Sequence, residues 1–169
     1  MKHSRRLLAL VLHATLLTLA TWAAPGWGQQ LDTRFSCSAT QDEDGEQVTY
    51  SDTGEAHLDG DRIKSFRWES ALFRPTHGFD CSIDDSDGLQ AELMQGIGRD
   101  AWRISLQDAR ATRERRGYNF DRGLNCSIRL EREGAILSVT PSCPALCGSR
   151  ANFTQLSVDL KTGKCHYVE

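Results

Sequence analysis

Apolar and polar residues alternate along much of the chain, and this alternation constrains the fold more than any other feature. Successive side chains of a β-strand point to opposite faces, so a strand with one buried face repeats every two residues. The clearest runs are Trp102 to Gln107, Cys126 to Glu131 and Leu156 to Lys161. Further strands are indicated by Phe35, Cys37 and Ala39, by Val48 and Tyr50, by Ile63, Phe66 and Trp68, and by Leu89, Ala91 and Leu93. The pattern predicts an all-β protein with antiparallel sheets that are each packed on one side.

Turn residues separate these runs at short intervals. The glycine-containing pairs that favour tight hairpins are Asp44-Gly45, Asp59-Gly60, Asp87-Gly88, Glu133-Gly134 and Thr162-Gly163. Spacings of about eight to twelve residues between strands are typical of a meander that forms a barrel or a sandwich. We therefore predict one small antiparallel β-barrel or sandwich, stabilised by disulfides, over residues 29–169.

Residues 1–28 have the layout of a secretory signal peptide. Lys2, Arg5 and Arg6 precede an apolar run, Leu7 to Ala20, which is shorter than the roughly 20 residues needed to span a bilayer. Small residues beyond the run place the cleavage site between about residues 23 and 28. We expect a soluble mature domain, without membrane insertion, in the periplasm or in the extracellular medium.

All six cysteines fall in the predicted mature part: Cys37, Cys81, Cys126, Cys143, Cys147 and Cys165. An even number of cysteines behind a signal peptide predicts disulfides in an oxidising compartment. The sequence does not choose among the possible pairings. We expect Cys37 to bond to Cys81, and the three C-terminal cysteines to bond to one another and to Cys126. Thiolates also bind zinc, but disulfides prevail in an exported protein, so we expect no metal site.

Charge and motif content disfavour several classes of function. The predicted signal holds three basic residues and no acidic residue, so its removal changes the formal charge from −3 to −6. This negative charge argues against nucleic acid as a partner. The mature histidines His57, His77 and His166 form no metalloprotease motif, and no nucleophile elbow or phosphate-binding loop is present. We expect no enzymatic activity and no cofactor.

Four aspartates cluster at Asp80, Asp84, Asp85 and Asp87. An EF-hand loop needs oxygen ligands at alternate positions and a bidentate acid at its end, and the spacing here does not supply them. We interpret the cluster as a polar turn.

The most distinctive local feature is an arginine-rich segment from Asp108 to Gly123. Its candidate partner-binding residues are Arg110, Arg113, Arg115, Arg116 and Tyr118. Guanidinium groups pair with carboxylates through two parallel hydrogen bonds, so such a loop can enter an acidic cleft of a partner. The alternative is a solvated loop or short helical turn whose arginines balance the protein's own acidic surface.

The stretch Cys143 to Phe153 reads Cys-Pro-Ala-Leu-Cys-Gly-Ser-Arg-Ala-Asn-Phe. It resembles a Cys-x3-Cys-Gly-x-Arg-Ala-x-Phe pattern near the end of some periplasmic lysozyme-inhibitor-like proteins. The resemblance covers this stretch alone and implies export and a small disulfide-bonded β domain. Some of these proteins have an inhibitory loop that contains a serine. The nearest equivalent here, Arg116-Gly117-Tyr118, lacks that serine, so the resemblance carries over no inhibitory residue.

These observations favour an exported binding protein whose partner is another protein. In this interpretation the chain is an inhibitor of a cell-wall hydrolase or an immunity protein against one. One alternative is a structural or assembly component of the envelope without inhibitory activity. Another is a periplasmic enzyme whose site is assembled only in three dimensions. The oligomeric state stays open.

If the partner is a cell-wall hydrolase, Arg115, Arg116 and Tyr118 are expected to approach its catalytic carboxylates. Replacing Arg115 and Arg116 together by Glu then abolishes inhibition, because like charges face each other across the interface. Inhibition of cell-wall lysis measures the effect. Unchanged potency of the double variant would remove this segment from the interface.

Overall fold

A computed structural model describes residues 29–94, 99–117, 125–142 and 155–167. The predicted signal peptide, Tyr118, and the stretch Cys143 to Phe153 lie outside these ranges. Within them the strands are β1 (Gln30–Glu43), β2 (Glu46–Asp59), β3 (Arg62–Phe73), β4 (Gly78–Asp84), β5 (Leu89–Met94), β6 (Asp100–Leu106), β7 (Ser127–Glu133), β8 (Ile136–Pro141), β9 (Leu156–Asp159) and β10 (Cys165–Tyr167). A 3₁₀ turn (Asp85–Asp87) follows β4, and a short helix, α1 (Ala109–Arg115), follows β6.

The strands form two antiparallel sheets in simple sequence order. The first sheet has the order β1-β2-β3-β4, and the second runs from β5 to β10. Among the described strands neither sheet closes on itself, so the predicted all-β antiparallel fold is confirmed and the barrel alternative is wrong. The inner faces of both sheets contribute to one hydrophobic core.

The core follows directly from the alternation in the sequence. Fully buried side chains come from the first sheet (Leu31, Val48, Trp68) and from the second (Trp102, Ile104, Ile128, Leu130, Leu137, Val139, Leu156, Val158). The indole of Trp102 also donates a hydrogen bond of 3.0 Å to the carbonyl of Gly60, at the turn between β2 and β3. This bond ties the second sheet to the end of the first.

Four of the five predicted glycine turns connect neighbouring strands of one sheet. At Asp44-Gly45 both residues have positive φ, 52° and 85°, as a two-residue hairpin of the favoured handedness requires. The prediction for Asp87-Gly88 is wrong, since this pair leads the chain from the first sheet to the second. Gly88 adopts a left-handed conformation with φ of 72°, which ends the 3₁₀ turn and redirects the backbone.

Cys37 bonds to Cys165, so the expected bond from Cys37 to Cys81 is wrong, and so is the expected pairing of Cys165 with Cys126 or another C-terminal cysteine. Cys37 and Cys81 lie on β1 and β4, three strand spacings or about 14 Å apart, which exceeds the roughly 7 Å that a disulfide can bridge. Cys165 instead brings β10, the edge of the second sheet, against β1, the edge of the first. Cys81 and Cys126 each take part in a disulfide as well.

The disulfide is compatible with export from the cytosol, where such bonds are rare. None of the helices in the described part of the chain has the length and apolar character needed to cross a lipid bilayer.

A carboxyl group is buried in the core beside this disulfide. Asp52 pairs with Cys37 across β1 and β2, and its side chain is 1% exposed. The indole of Trp68 donates a hydrogen bond of 2.9 Å to Asp52 Oδ1, and Ser70 and Tyr167 also face the carboxyl group. Burial raises the pKa of Asp52 despite these contacts, and burial together with the nearby carboxylate raises the pKa of Tyr167.

We predict that Asp52→Asn stabilises the protein more at neutral pH than in acid. The folded state holds the Asp52 proton more tightly than the unfolded state, in which the pKa is near 3.8. The stability that this carboxyl contributes is therefore present below that value and is lost as pH rises through the raised pKa. Because an amide carries no charge and keeps an acceptor for Trp68, the variant avoids this loss.

Urea unfolding midpoints at about pH 3 and about pH 7 test this prediction. The advantage of the variant over the natural protein should grow between the two conditions. Asp42→Asn, at an exposed position of β1, is the matched control. An advantage that is equal at both pH values would show that burial does not shift the proton affinity of Asp52.

Candidate binding surfaces

The aspartate cluster forms the corner between the two sheets. Asp84 Oδ1 accepts a hydrogen bond of 2.8 Å from the backbone N–H of Ser86, and Asp87 Oδ2 accepts one of 2.9 Å from the N–H of Asp84. Asp85 Oδ1 accepts from the N–H of Phe66 at 2.7 Å, just beyond the last residue pair of β3 and β4. The polar turn is thus a hydrogen-bonded capping structure. In the described ranges no group of three His, Cys, Asp or Glu side chains is placed to hold a metal ion.

The arginine-rich segment folds back onto this corner as α1. The carboxylate of Asp108 caps the helix by accepting from the N–H of Ala111 at 2.9 Å. One face of the helix buries Ala109 and Thr112, and the hydroxyl of Thr112 donates to the carbonyl of Asp87 at 2.8 Å. The segment from Asp108 to Gly117 is therefore an ordered part of the scaffold.

Arg116 makes within the molecule the kind of contact that the sequence suggested for a partner. Its Nε and Nη2 atoms donate to the two carboxylate oxygens of Asp87 at 2.8 Å and 2.6 Å. Its Nη1 atom donates to the carbonyl of Ser82 at 2.5 Å. Asp87 is buried, so this pair is a charged link between α1 and the corner.

The other predicted contact residues divide between the interior and the surface. Arg113 is only 2% exposed, and burial lowers its pKa. Arg110 and Arg115 are exposed on α1. The structure therefore does not bring the four described arginines together on one open face, and one of them, Arg116, balances an acidic group of the protein itself. The partner-binding role of Arg110 and Arg115 stays a prediction.

A second surface lies where the β1–β2 and β3–β4 hairpins turn. We call it the hairpin end, and it comprises residues 42–47 and 73–79. Arg74 joins the two hairpins, because its guanidinium contacts Glu43 Oε2 at 2.8 Å and Glu46 Oε2 at 3.2 Å. Within its own hairpin the N–H of Arg74 donates to the carbonyl of His77 at 2.8 Å. These bonds hold the hairpin end in one arrangement.

Two phenylalanines are exposed at the hairpin end. Phe73 is 51% exposed and Phe79 is 42% exposed. The ring of Phe73 lies over Gly78, where an added Cβ would approach it to 2.8 Å. The ring of Phe79 meets that of His77 edge to face, with centroids 5.2 Å apart. Neighbouring contacts thus fix both rings although solvent reaches them.

The hairpin end and α1 lie at opposite ends of β4. This strand has seven residues and is about 20 Å long. Phe79 lies near its start, and the corner that binds Arg116 follows its end. The alternation of apolar and polar residues does not predict the hairpin end, because an aromatic residue in a strand is ordinarily expected in the core. The exposure of Phe73 could have been predicted from the sequence. The apolar face of β3 carries Phe66, Trp68 and Leu72 at even positions, so the odd-numbered Phe73 lies on the opposite face.

We predict that Arg116→Met destabilises the protein far more than Arg115→Met. Loss of Arg116 leaves the carboxylate of Asp87, which is 4% exposed, buried without its charged partner. Breaking such a pair costs about 3 kcal/mol, whereas an exposed arginine contributes roughly 0–1 kcal/mol. The free energy of unfolding in urea measures both effects. Equal values for the two variants would contradict the structural role of Arg116.

Comparison with known proteins gives no match to a family model, to a curated protein or to a solved structure. The resemblance over Cys143 to Phe153 thus stays a prediction.

Proposed function

We propose that this chain is an exported, periplasmic binding protein that recognises another protein through its hairpin end. The observation that carries this proposal is the exposure of Phe73 and Phe79, one on each face of a hairpin held rigid by Arg74. Exposed aromatic side chains on a fixed backbone lose little entropy on binding and commonly dominate interface energies. The disulfide scaffold suits a protein that works outside the cytosol.

The charge of the hairpin end indicates what kind of partner it fits. The β1–β2 hairpin carries the carboxylates of Asp42, Glu43, Asp44 and Glu46, against the single guanidinium of Arg74 in the β3–β4 turn. A partner with a basic rim around an apolar pocket complements this surface in both charge and polarity. A cell-wall hydrolase with a basic surface meets these requirements, and we propose this class of enzyme as the partner.

This proposal moves the expected interface from one end of the scaffold to the other. The sequence suggested that arginines enter an acidic cleft, but Arg113 and Arg116 are used inside the protein. Only Arg110 and Arg115 remain on the surface of α1. The hairpin end and α1 can be tested separately, because substitutions in one do not alter residues of the other.

We predict that Phe79→Ser weakens binding to a c-type lysozyme, a basic cell-wall hydrolase, by about thirtyfold or more, as expected for an aromatic hot spot. Ile136→Ser is the matched control, because Ile136 is also 42% exposed but lies on the other sheet. The double change of Arg110 and Arg115 to Glu tests the α1 end without disturbing the pair of Arg116 and Asp87. Calorimetric affinity and inhibition of cell-wall lysis are the measurements.

Charge complementarity between the hairpin end and a basic partner can be tested by itself. Acetylation of the lysines of the lysozyme removes positive charge from the partner and should weaken binding, and added salt should weaken it as well. Loss of binding in the arginine variant, with Phe79→Ser unaffected, would place the interface at α1. If the natural protein does not bind lysozyme, this partner class is wrong.

A further inference from the structure

A groove of about 320 Å³ crosses the outer face of the first sheet. It runs over β2, β3 and β4, on the face turned away from the core. The side chains that line it from this face are Ser51, Thr53, Glu69, Ala71, Asp80 and Ser82. Its volume lies at the lower end of the range for small-molecule sites.

The lining of the groove is rich in hydroxyl and carboxylate groups. The hydroxyls of Ser51 and Ser82 can donate and accept hydrogen bonds, that of Thr53 can accept them, and the carboxylates of Glu69 and Asp80 accept them. A ligand that presents many hydroxyl groups in fixed positions satisfies such a surface, because each of its hydroxyls can also act as donor and acceptor. Sugar rings have this property.

One carboxylate of the groove is held in place before any ligand binds. The hydroxyl of Thr53 donates to Glu69 Oε2 at 3.1 Å, and the Nε of Arg67 donates to Oε1 at 3.1 Å. These contacts, that of Arg67 first, lower the pKa of Glu69. The group therefore stays an oriented acceptor, and a ligand meets a fixed arrangement of polar atoms.

An aromatic residue follows the groove lining along β3, toward the hairpin end. Phe73 follows Ala71 on the same face of β3, two residues further along the strand, and is half exposed. Its ring is held over Gly78. A flat apolar surface of this kind can pack against the C–H face of a sugar while the groove binds the hydroxyl groups.

We propose that this groove binds a neutral oligosaccharide and that about one or two of its rings fill the volume. A neutral ligand fits because Glu69 and Asp80 repel anionic sugars, while Arg67 is already paired with Glu69. Arg116, which contacts Ser82, is likewise paired with Asp87. The proposed sugar site shares only Phe73 with the hairpin end, so variants at Asp80 and at Phe79 distinguish glycan binding from recognition of a protein partner.

Titration of the isotope-labelled mature protein with chitotetraose and with cellotetraose, followed by NMR, tests the proposal. We expect saturable shifts of the backbone amides of Thr53, Glu69 and Ser82 with at least one neutral sugar. Hyaluronan tetrasaccharide, which is anionic, should bind at least tenfold more weakly. Dispersed spectra of every variant confirm that it is folded.

Two variants locate the site, and two serve as controls. Asp80→Ala and Thr53→Val should each weaken sugar binding about tenfold. The first removes an acceptor, and the second removes a hydroxyl together with its hydrogen bond to Glu69. Gln90→Ala, on an exposed position of the second sheet, and Phe79→Ser should leave it unchanged. No saturable shift with either neutral sugar, shifts centred elsewhere, or equal affinity for the anionic sugar would each overturn the proposal. If Asp80→Ala binds lysozyme as the natural protein does, the loss of sugar binding in this variant is independent of protein recognition by the hairpin end.

Discussion

Each described strand pairs only with its neighbours in sequence. The two sheets therefore meet at two places, here called seams, where no ladder of backbone hydrogen bonds joins them. Both seams are closed by side chains. At the first, the corner after β4 is capped by its own aspartates and joined to α1 by the pair of Arg116 and Asp87. At the second, the bond between Cys37 and Cys165 joins the edge strands β1 and β10. The shared core depends on both closures, because neither sheet can bury its inner face alone.

The strands themselves were predictable because a repeat of two residues is a local property. Runs such as Trp102 to Gln107 became strands with the expected inner faces, and the tight turn at Asp44-Gly45 follows from residues that tolerate positive φ. The seams were not predictable in this way. Nothing local shows that Cys37 meets a cysteine 128 residues further on, or that the chain changes sheet at Gly88.

The candidate sites illustrate the same limit. The density of arginines was visible in the sequence, but the carboxylate that binds Arg116 lies 29 residues earlier in the chain. Whether a charged residue is free for a partner depends on such distant contacts. The groove depends on register as well, since Thr53 pairs with Glu69 across β2 and β3. Only the exposed position of Phe73 could have been read from the sequence, because it departs from the apolar face of its own strand.

The buried carboxyl of Asp52 has a consequence for the last strand. β10 has three residues, and a slip of one position would turn His166 inward and Tyr167 outward. In the observed register the ring of Tyr167 packs on Tyr50 with centroids 5.3 Å apart, and its phenol faces Asp52. A polar group in the core favours an inward side chain that combines an apolar ring with a hydroxyl. Asp52 therefore destabilises the core through its own burial, while the observed register of β10 places Tyr167 on Tyr50 and Cys165 against Cys37, which closes the second seam.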